Sequence, residues 1–417
     1  MRKEFRIVDC IYVFLLVFPV LCRWFFLDSW ETRFTYNLFN YPLFLPELSF
    51  LLMVIFFPQV KGRNIKLVTV SIIGLIFVYI GCVWNSFPNP VINFLGGSDF
   101  FLTTLMFGLF PIKTKHIPYL KWILLGALVL LGIEIVLFST VITYSGMQDR
   151  QEYGGITRIS STVGGSTGTA VVLFIVGTIV YHCFKINRTI RVGSVCFTTV
   201  AIIFTFSRGA LLAQVLFVLF LSFKWIRHLK KQRSVFVFAL CLIGVVFFSR
   251  SIKELKVMEG FKERFNNSIE SGDITSGRTE RWEMAYELFK ESPIIGNGSG
   301  YINPYIRGRN IGAYSRDMFS PHNVYLLCLV DYGIVGFSLL CIVLLLFWKI
   351  AYNKEDSTLR FAMFLIIVIL MNVEIIFFSM HYLFPFCILA YVSKSKDKFT
   401  KYKMSQVYGK SCVYNVS

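Results

Sequence analysis

The chain is a succession of continuously apolar runs, most of them close to twenty residues long, and few folds can absorb such a pattern. A helix rising about 1.5 Å per residue needs roughly 20 apolar residues to cross the hydrocarbon of a bilayer. Within lipid, only helices and closed barrels satisfy every backbone N–H and C=O. The runs do not alternate at every second residue, so they read as helices rather than as barrel strands. Composition agrees. An apolar share of 55% and a mean hydropathy of +0.64 over 417 residues exceed what a soluble chain of this size carries.

The runs predict twelve spans, near 8–26, 41–57, 67–84, 91–110, 120–140, 163–184, 191–207, 210–226, 234–249, 322–348, 360–378 and 380–392. The first follows Met1, Arg2 and Lys3 directly and lacks a small-residue cleavage site, so it is expected to stay as a helix. The fold class is therefore an all-α polytopic membrane protein with one large extracytoplasmic loop.

A net charge of +18 raises the possibility of a nucleic-acid partner, but its distribution points elsewhere. The basic residues fall in alternate short loops. One set holds Arg2, Lys3 and Arg6; Lys61, Arg63 and Lys66; Lys113, Lys115 and Lys121; Lys185, Arg188 and Arg191; Arg227, Lys230, Lys231 and Arg233; Lys349, Lys354 and Arg360; and the tail from Lys394 to Lys410. The opposite short loops carry only Arg33, Arg150, Arg158 and Arg208. The positive-inside rule makes the basic set cytoplasmic, with both termini inside and the 250–321 segment outside. The bilayer is then the partner that the charge serves, not nucleic acid, and the expected location is the inner (cytoplasmic) membrane.

Cysteines such as Cys82, Cys183, Cys196, Cys241 and Cys328 sit in apolar runs without CxxC or metal-ligand spacing, and read as small core hydrophobes. The sequence has no Walker A loop, Rossmann glycine fingerprint, HExxH or DxD pair, so no metal or other cofactor is expected. Asp9, Asp99, Glu134, Asp331 and Glu374 are scattered through the spans rather than arrayed as an ion-coupled transporter would need.

Five domains of organisation follow: N-terminal spans at 1–140, central spans at 141–249, the external segment at 250–321, C-terminal spans at 322–392 and a basic tail at 393–417. The small residues GGSTGTA at 164–170 open one central span and suit close approach, either by another helix or by a ligand. The external segment is nearly charge-balanced, with eleven Lys or Arg and ten Asp or Glu. Within it, residues 279–291 predict an amphipathic helix with Trp282, Ala285, Tyr286 and Phe289 on one face, Thr279 as its cap and Pro293 after its end. Such a helix lies on the membrane surface or packs on top of the bundle.

Three positions can carry chemistry. Arg208, in SRGALLA, turns a hairpin at the outer face; it either binds phosphate with its forked donors or snorkels as a turn residue. Arg278 and Arg281 stand at the start of the amphipathic helix, where backbone donors also favour anions; they either bind a pyrophosphate or pair with Glu280, Glu283 or Asp273. His322 re-enters the membrane in SPHNVYLLCLVDYGIVG on the same side as these arginines. It is either a proton acceptor or an interfacial histidine held by a backbone group.

Together these motifs resemble the O-antigen ligase and polymerase superfamily of membrane glycosyltransferases. The resemblance covers roughly 155–340. It rests on SRGALLA at 207–213, on GRTERWEMAYELFKESPIIGNGSG at 277–300, and on His322 and Asn323 followed after nine residues by Gly333-x-x-Gly336. It implies a GT-C-like, metal-independent, inverting enzyme that takes undecaprenyl-pyrophosphate-linked oligosaccharide at the periplasmic or extracellular face. His322, Arg278 and Arg208 are then the catalytic set, Arg278 because it stands four residues before Trp282. Arg158, Arg281 and Asn323 are the implied pyrophosphate-binding set, and a chain-length regulator protein is an implied partner. Of the two activities in the superfamily, polymerisation is expected over ligation, since no additional periplasmic domain is evident to dock a protein acceptor. A transporter or flippase of lipid-linked oligosaccharide is the alternative outside enzymology. The arginines cluster at one face instead of lining a central cavity, which favours chemistry.

The orientation has a direct test. Alkaline phosphatase fused after Gly272 should be active and the same reporter fused after Gln232 inactive; the reverse pattern would invert the topology.

Overall fold

The computed structural model describes residues 6–25, 36–38, 41–43, 45–58, 62–84, 90–140, 152–153, 156–157, 166–184, 187–227, 278–299, 321–352, 357–374 and 380–394, with isolated positions at 259, 262–263 and 266. The helices are α1 (Ile7–Phe25), α2 (Leu45–Phe56), α3 (Ile65–Trp84), α4 (Pro90–Leu109), α5 (Ile117–Thr140), α6 (Ser166–Cys183), α7 (Arg188–Phe204), α8 (Arg208–Arg227), α9 (Arg278–Glu291), α10 (Val324–Ala351), α11 (Ser357–Val368) and α12 (Met380–Lys394). Every expected span carries one of these helices except 234–249, which lies outside the described residues.

Among the described residues, five stretches are long and apolar enough to cross a membrane: Ile65–Trp84, Thr114–Ile135, Ser166–Cys183, Arg208–Arg227 and Val324–Ala351. Others are shorter than expected. Helices α2 and α11 hold 12 residues each, which at about 1.5 Å per residue falls short of the roughly 30 Å hydrocarbon core. The all-α expectation also needs a local correction. Tyr36–Leu38 (β1) pairs antiparallel with Tyr41–Leu43 (β2), and Glu152–Tyr153 (β3) with Ile156–Thr157 (β4). Residues 41–43, expected as the start of a span, are strand instead, with Tyr41 opposite Leu38 and Leu43 opposite Tyr36 as aromatic–aliphatic cross-strand pairs.

Helix α6 is the centre of the bundle, touched by α5, α7, α8, α11 and α12, and it is buried on nearly every side. Its glycines explain the close fit. A β-carbon at Gly168 would fall 1.9 Å from the Tyr382 hydroxyl of α12, and one at Gly177 would fall 2.3 Å from Thr198 Cγ2 of α7. At Gly168 and Gly177 the small residues therefore serve helix packing. Polar pairs join the helices as well: Ser71 and Thr104 share a 2.8 Å hydrogen bond between α3 and α4, and Gln214 of α8 donates to Thr199 of α7 at 2.7 Å.

Helix α10 is broken at Gly333, whose φ of 60° and ψ of −164° lie in a region open almost only to glycine. The break folds the two halves toward each other. Tyr325 and Phe337 have ring centroids 6.2 Å apart, whereas twelve residues of straight helix would separate their positions by about 18 Å. The backbone groups at the break pair with the loop that follows α9. Ile334 donates to Pro293 O at 2.9 Å and Val335 to Ile294 O at 3.1 Å; Asn297 donates to Val330 O and Gly298 to Asp331 O, both at 2.9 Å.

Helix α9 packs on the first half of α10, as one of the two expected placements has it. Its contact face differs from the expected one. Ala285 and Leu288 are buried against Leu327 and Val330, with Met284 and Phe289 at the margin, while Tyr286 is 54% exposed beneath Lys290. The helix also begins at Arg278, which makes Thr279 an exposed residue of the first turn and not the cap.

Gly333→Ala should be far more damaging than Gly126→Ala. A β-carbon at Gly333 would meet Ile294 O at 2.4 Å, whereas one at Gly126 has nothing within 4 Å. The strained backbone alone costs about 1–3 kcal/mol. Thermal unfolding in detergent should show a clear fall in midpoint for the first variant and none for the second.

Candidate active site

Arg208 is the first residue of α8 and is partly buried. The turn that delivers it is tight. Thr205 ends α7 with its hydroxyl donating to Ile202 O at 2.7 Å, and the Ser207 N–H donates to the Thr205 hydroxyl at 3.2 Å. Phe206 between them is fully buried with φ at 52°. The Ser207 carbonyl then accepts from Leu211 N–H at 2.9 Å, which starts α8. Gly209 lets a neighbour close in, since a β-carbon there would lie 2.6 Å from Val373 Cγ1.

Arg278, the first residue of α9, donates from Nη2 to the backbone carbonyl of the same Val373 at 3.1 Å. This contact differs from the surface pairing with Glu280, Glu283 or Asp273 that the sequence also allowed. Four residues on, Trp282 donates from Nε1 to Pro321 O at 2.9 Å, tying α9 to the residue just before His322. Arg281 is partly buried one turn along the helix from Arg278.

His322 has a φ of 45°, and with Phe206 it makes up the non-glycine residues of positive φ among those described. Histidine is one of the few side chains that tolerates this region, and such strain gathers at functional sites. The imidazole Nδ1 lies 3.5 Å from Glu374 Oε1, with the two side chains 26% and 11% exposed. Asn323 caps α10, its Oδ1 accepting from Tyr325 N–H at 2.9 Å and Leu326 N–H at 3.1 Å. Its Nδ2 donates to Asn372 Oδ1 at 3.0 Å, and Asn372 Nδ2 in turn donates to Val368 O at 2.8 Å.

The α7–α8 hairpin and the starts of α9 and α10 thus converge on one short segment, residues 372–374, at the end of the turn Leu370–Asn372 that follows α11. Three helices begin there, α8 at Arg208, α9 at Arg278 and α10 at Val324. The positive ends of their dipoles add to the two guanidinium charges, and the arrangement favours an anion. Glu374 supplies the carboxylate beside His322.

The sequence-based set is therefore brought together in large part. Arg208, Arg278, His322 and Asn323 all meet residues 372–374 directly or through the adjoining residue, while Arg158 lies outside the described residues. Asn372 and Glu374 were missed. Glu374 counts among the scattered acids of the spans when read alone, yet it is the residue paired with the candidate base. Asn372→Leu should leave the Asn323 amide without this acceptor, at a cost of about 1–3 kcal/mol for a buried polar group. A lowered melting temperature in detergent, with Asn372→Gln closer to the parent, is the expected result.

Comparison with known proteins bears on the same elements. No curated protein matches the chain. Residues 193–341 match the model of the family described as O-antigen ligase, a stretch that runs from α7 through the α8 hairpin and α9 to the first two thirds of α10. Over these elements the chain is similar to that family, in agreement with the resemblance carried by the motifs, and the match gives no support to a transporter.

Proposed function

We propose that the chain polymerises undecaprenyl-pyrophosphate-linked oligosaccharide repeat units at the outer face of the inner membrane, as a metal-independent, inverting glycosyltransferase of GT-C-like fold. The observation that carries this reading is the gathering of Gly209, next to Arg208, with Arg278 and His322 around residues 372–374. Arginines and helix N-termini suit a pyrophosphate leaving group, and a histidine beside a carboxylate suits deprotonation of a sugar hydroxyl.

In this mechanism Arg208 and Arg278 hold the donor pyrophosphate and offset the negative charge that grows on it as the anomeric C–O bond breaks. His322 accepts the proton of the acceptor hydroxyl while its oxygen attacks the anomeric carbon from the opposite face. One glycosidic bond forms, one sugar–phosphate bond breaks, and the configuration inverts. With Nδ1 turned toward Glu374, the imidazole presents Nε2 as the basic nitrogen, and Glu374 stabilises the imidazolium that results. Asn323 holds the start of α10 in place through Asn372. Arg281 and Arg158 are assigned to binding the donor pyrophosphate as well. No nucleotide is needed, because the lipid pyrophosphate carries its own activation.

Ligation of a finished glycan to lipid A core or to a protein uses the same bonds, and the description of the matching family favours it as a second reading. The two readings differ in what a deletion strain accumulates. Loss of a polymerase leaves single lipid-linked repeat units on a glycan gel, and loss of a ligase leaves long lipid-linked polymer.

His322→Ala should abolish polymer while single lipid-linked units accumulate. Glu374→Gln should reduce transfer by about 10²–10⁴-fold, the usual worth of acid–base assistance, with the donor affinity much less affected. Full-length chains from a well-expressed His322→Ala protein would overturn the assignment.

A further inference from the structure

The loop after α9 has properties that an ordinary surface loop does not need. Residues 292–299, SPIIGNGS, contain no charged side chain, although α9 just before them carries Glu287, Lys290 and Glu291. Ile294 is 65% exposed and Ile295 37%. The two isoleucines adjoin Ile334 and Val335 of α10, also exposed, through the Val335 N–H bond to Ile294 O. That exposed face continues down the same helix through Ile342 and Leu345, in a segment apolar enough to cross a membrane. The isoleucines therefore extend a lipid-facing surface and are not an isolated patch.

The backbone of the loop is paired in the way that lipid requires. Pro293 O and Ile294 O accept from α10, Gly296 N–H donates to Ser292 O at 3.0 Å, and Asn297 and Gly298 donate to carbonyls that the break at Gly333 leaves without their helical partners. Asn297 Nδ2 donates to Leu288 O at 2.8 Å and Val330 O at 3.2 Å, so the one amide side chain in the loop is turned inward. Ser299 reaches the buried Cys82 near the end of α3. Non-helical backbone enters hydrocarbon only when protein satisfies it.

We infer that residues 292–298 form a re-entrant loop, with Ile294 and Ile295 inserted among the acyl chains of the leaflet on the side of the 250–321 segment. The loop is an anchor. It fixes the C-terminal end of α9 in the bilayer surface while Arg278 fixes the N-terminal end at Val373. The occupant of the apolar face is lipid, because the face is continuous with a spanning helix. This inference rests on the membrane fold and not on the proposed chemistry.

Depth-dependent quenching tests it. A full-length chain with its native cysteines replaced, carrying an environment-sensitive fluorophore at Ile294→Cys, is placed in phosphatidylcholine and phosphatidylglycerol vesicles. Fluorescence should be blue-shifted, quenched by nitroxide on the lipid acyl chain, and insensitive to aqueous iodide. The same probe at Glu287→Cys should show the opposite pattern. A probe at Ile295→Cys gives a second reading should Ile294→Cys fail to fold. Iodide quenching at both isoleucine positions overturns the proposal. So does protection from both quenchers, which would mean that protein, such as a second copy of the chain, covers the face.

Discussion

A polypeptide in lipid has no water to bind its backbone, and the break in α10 shows what this demands. At Gly333 the helix gives up regular pairing, and the groups it releases must find partners within the protein. The loop at 293–298 supplies them through four backbone hydrogen bonds. Two glycines make the contact possible. A β-carbon at Gly333 would press on Ile294 O at 2.4 Å, and one at Gly296 would press on Tyr332 N at 2.4 Å. Without this exchange the first half of α10 could not fold back toward the second half, and His322 would stand well away from the start of α8 and the end of α11. The position of the candidate base thus depends on a hydrogen-bond account settled eleven residues farther along the chain.

That dependence marks the boundary of what the sequence made legible. Runs of apolar residues have a length fixed by the bilayer, so each expected span among the described residues carries a helix, although α2 and α11 are shorter than the pattern put them. Arg208, Arg278 and His322 stood out because charge at a membrane surface is costly and because their order matched a family pattern. Glu374 did not stand out. One acid in an apolar segment, considered alone, carries no sign of its partner, and His322 lies 52 positions before it in the sequence. Asn372 was hidden in the same way. The contact face of α9 was misassigned at Tyr286 because helical periodicity alone ranks an aromatic ring above Leu288. The partner surface on α10, with Leu327 and Val330, decides otherwise.

The electrostatics of the site follow from the same geometry. Residues 372–374 present a carbonyl to Arg278, an amide to Asn323 and a carboxylate to His322. The Val373 carbonyl orients the Arg278 guanidinium. The Glu374 carboxylate faces the histidine instead. In the proposed mechanism the cationic groups and helix N-termini suit an anionic leaving group, and His322 with Glu374 suits a hydroxyl. Both sets are fixed to three consecutive residues. A shift of that segment would move leaving-group and base contacts together, which is how helices far apart in sequence can hold a two-substrate geometry in register.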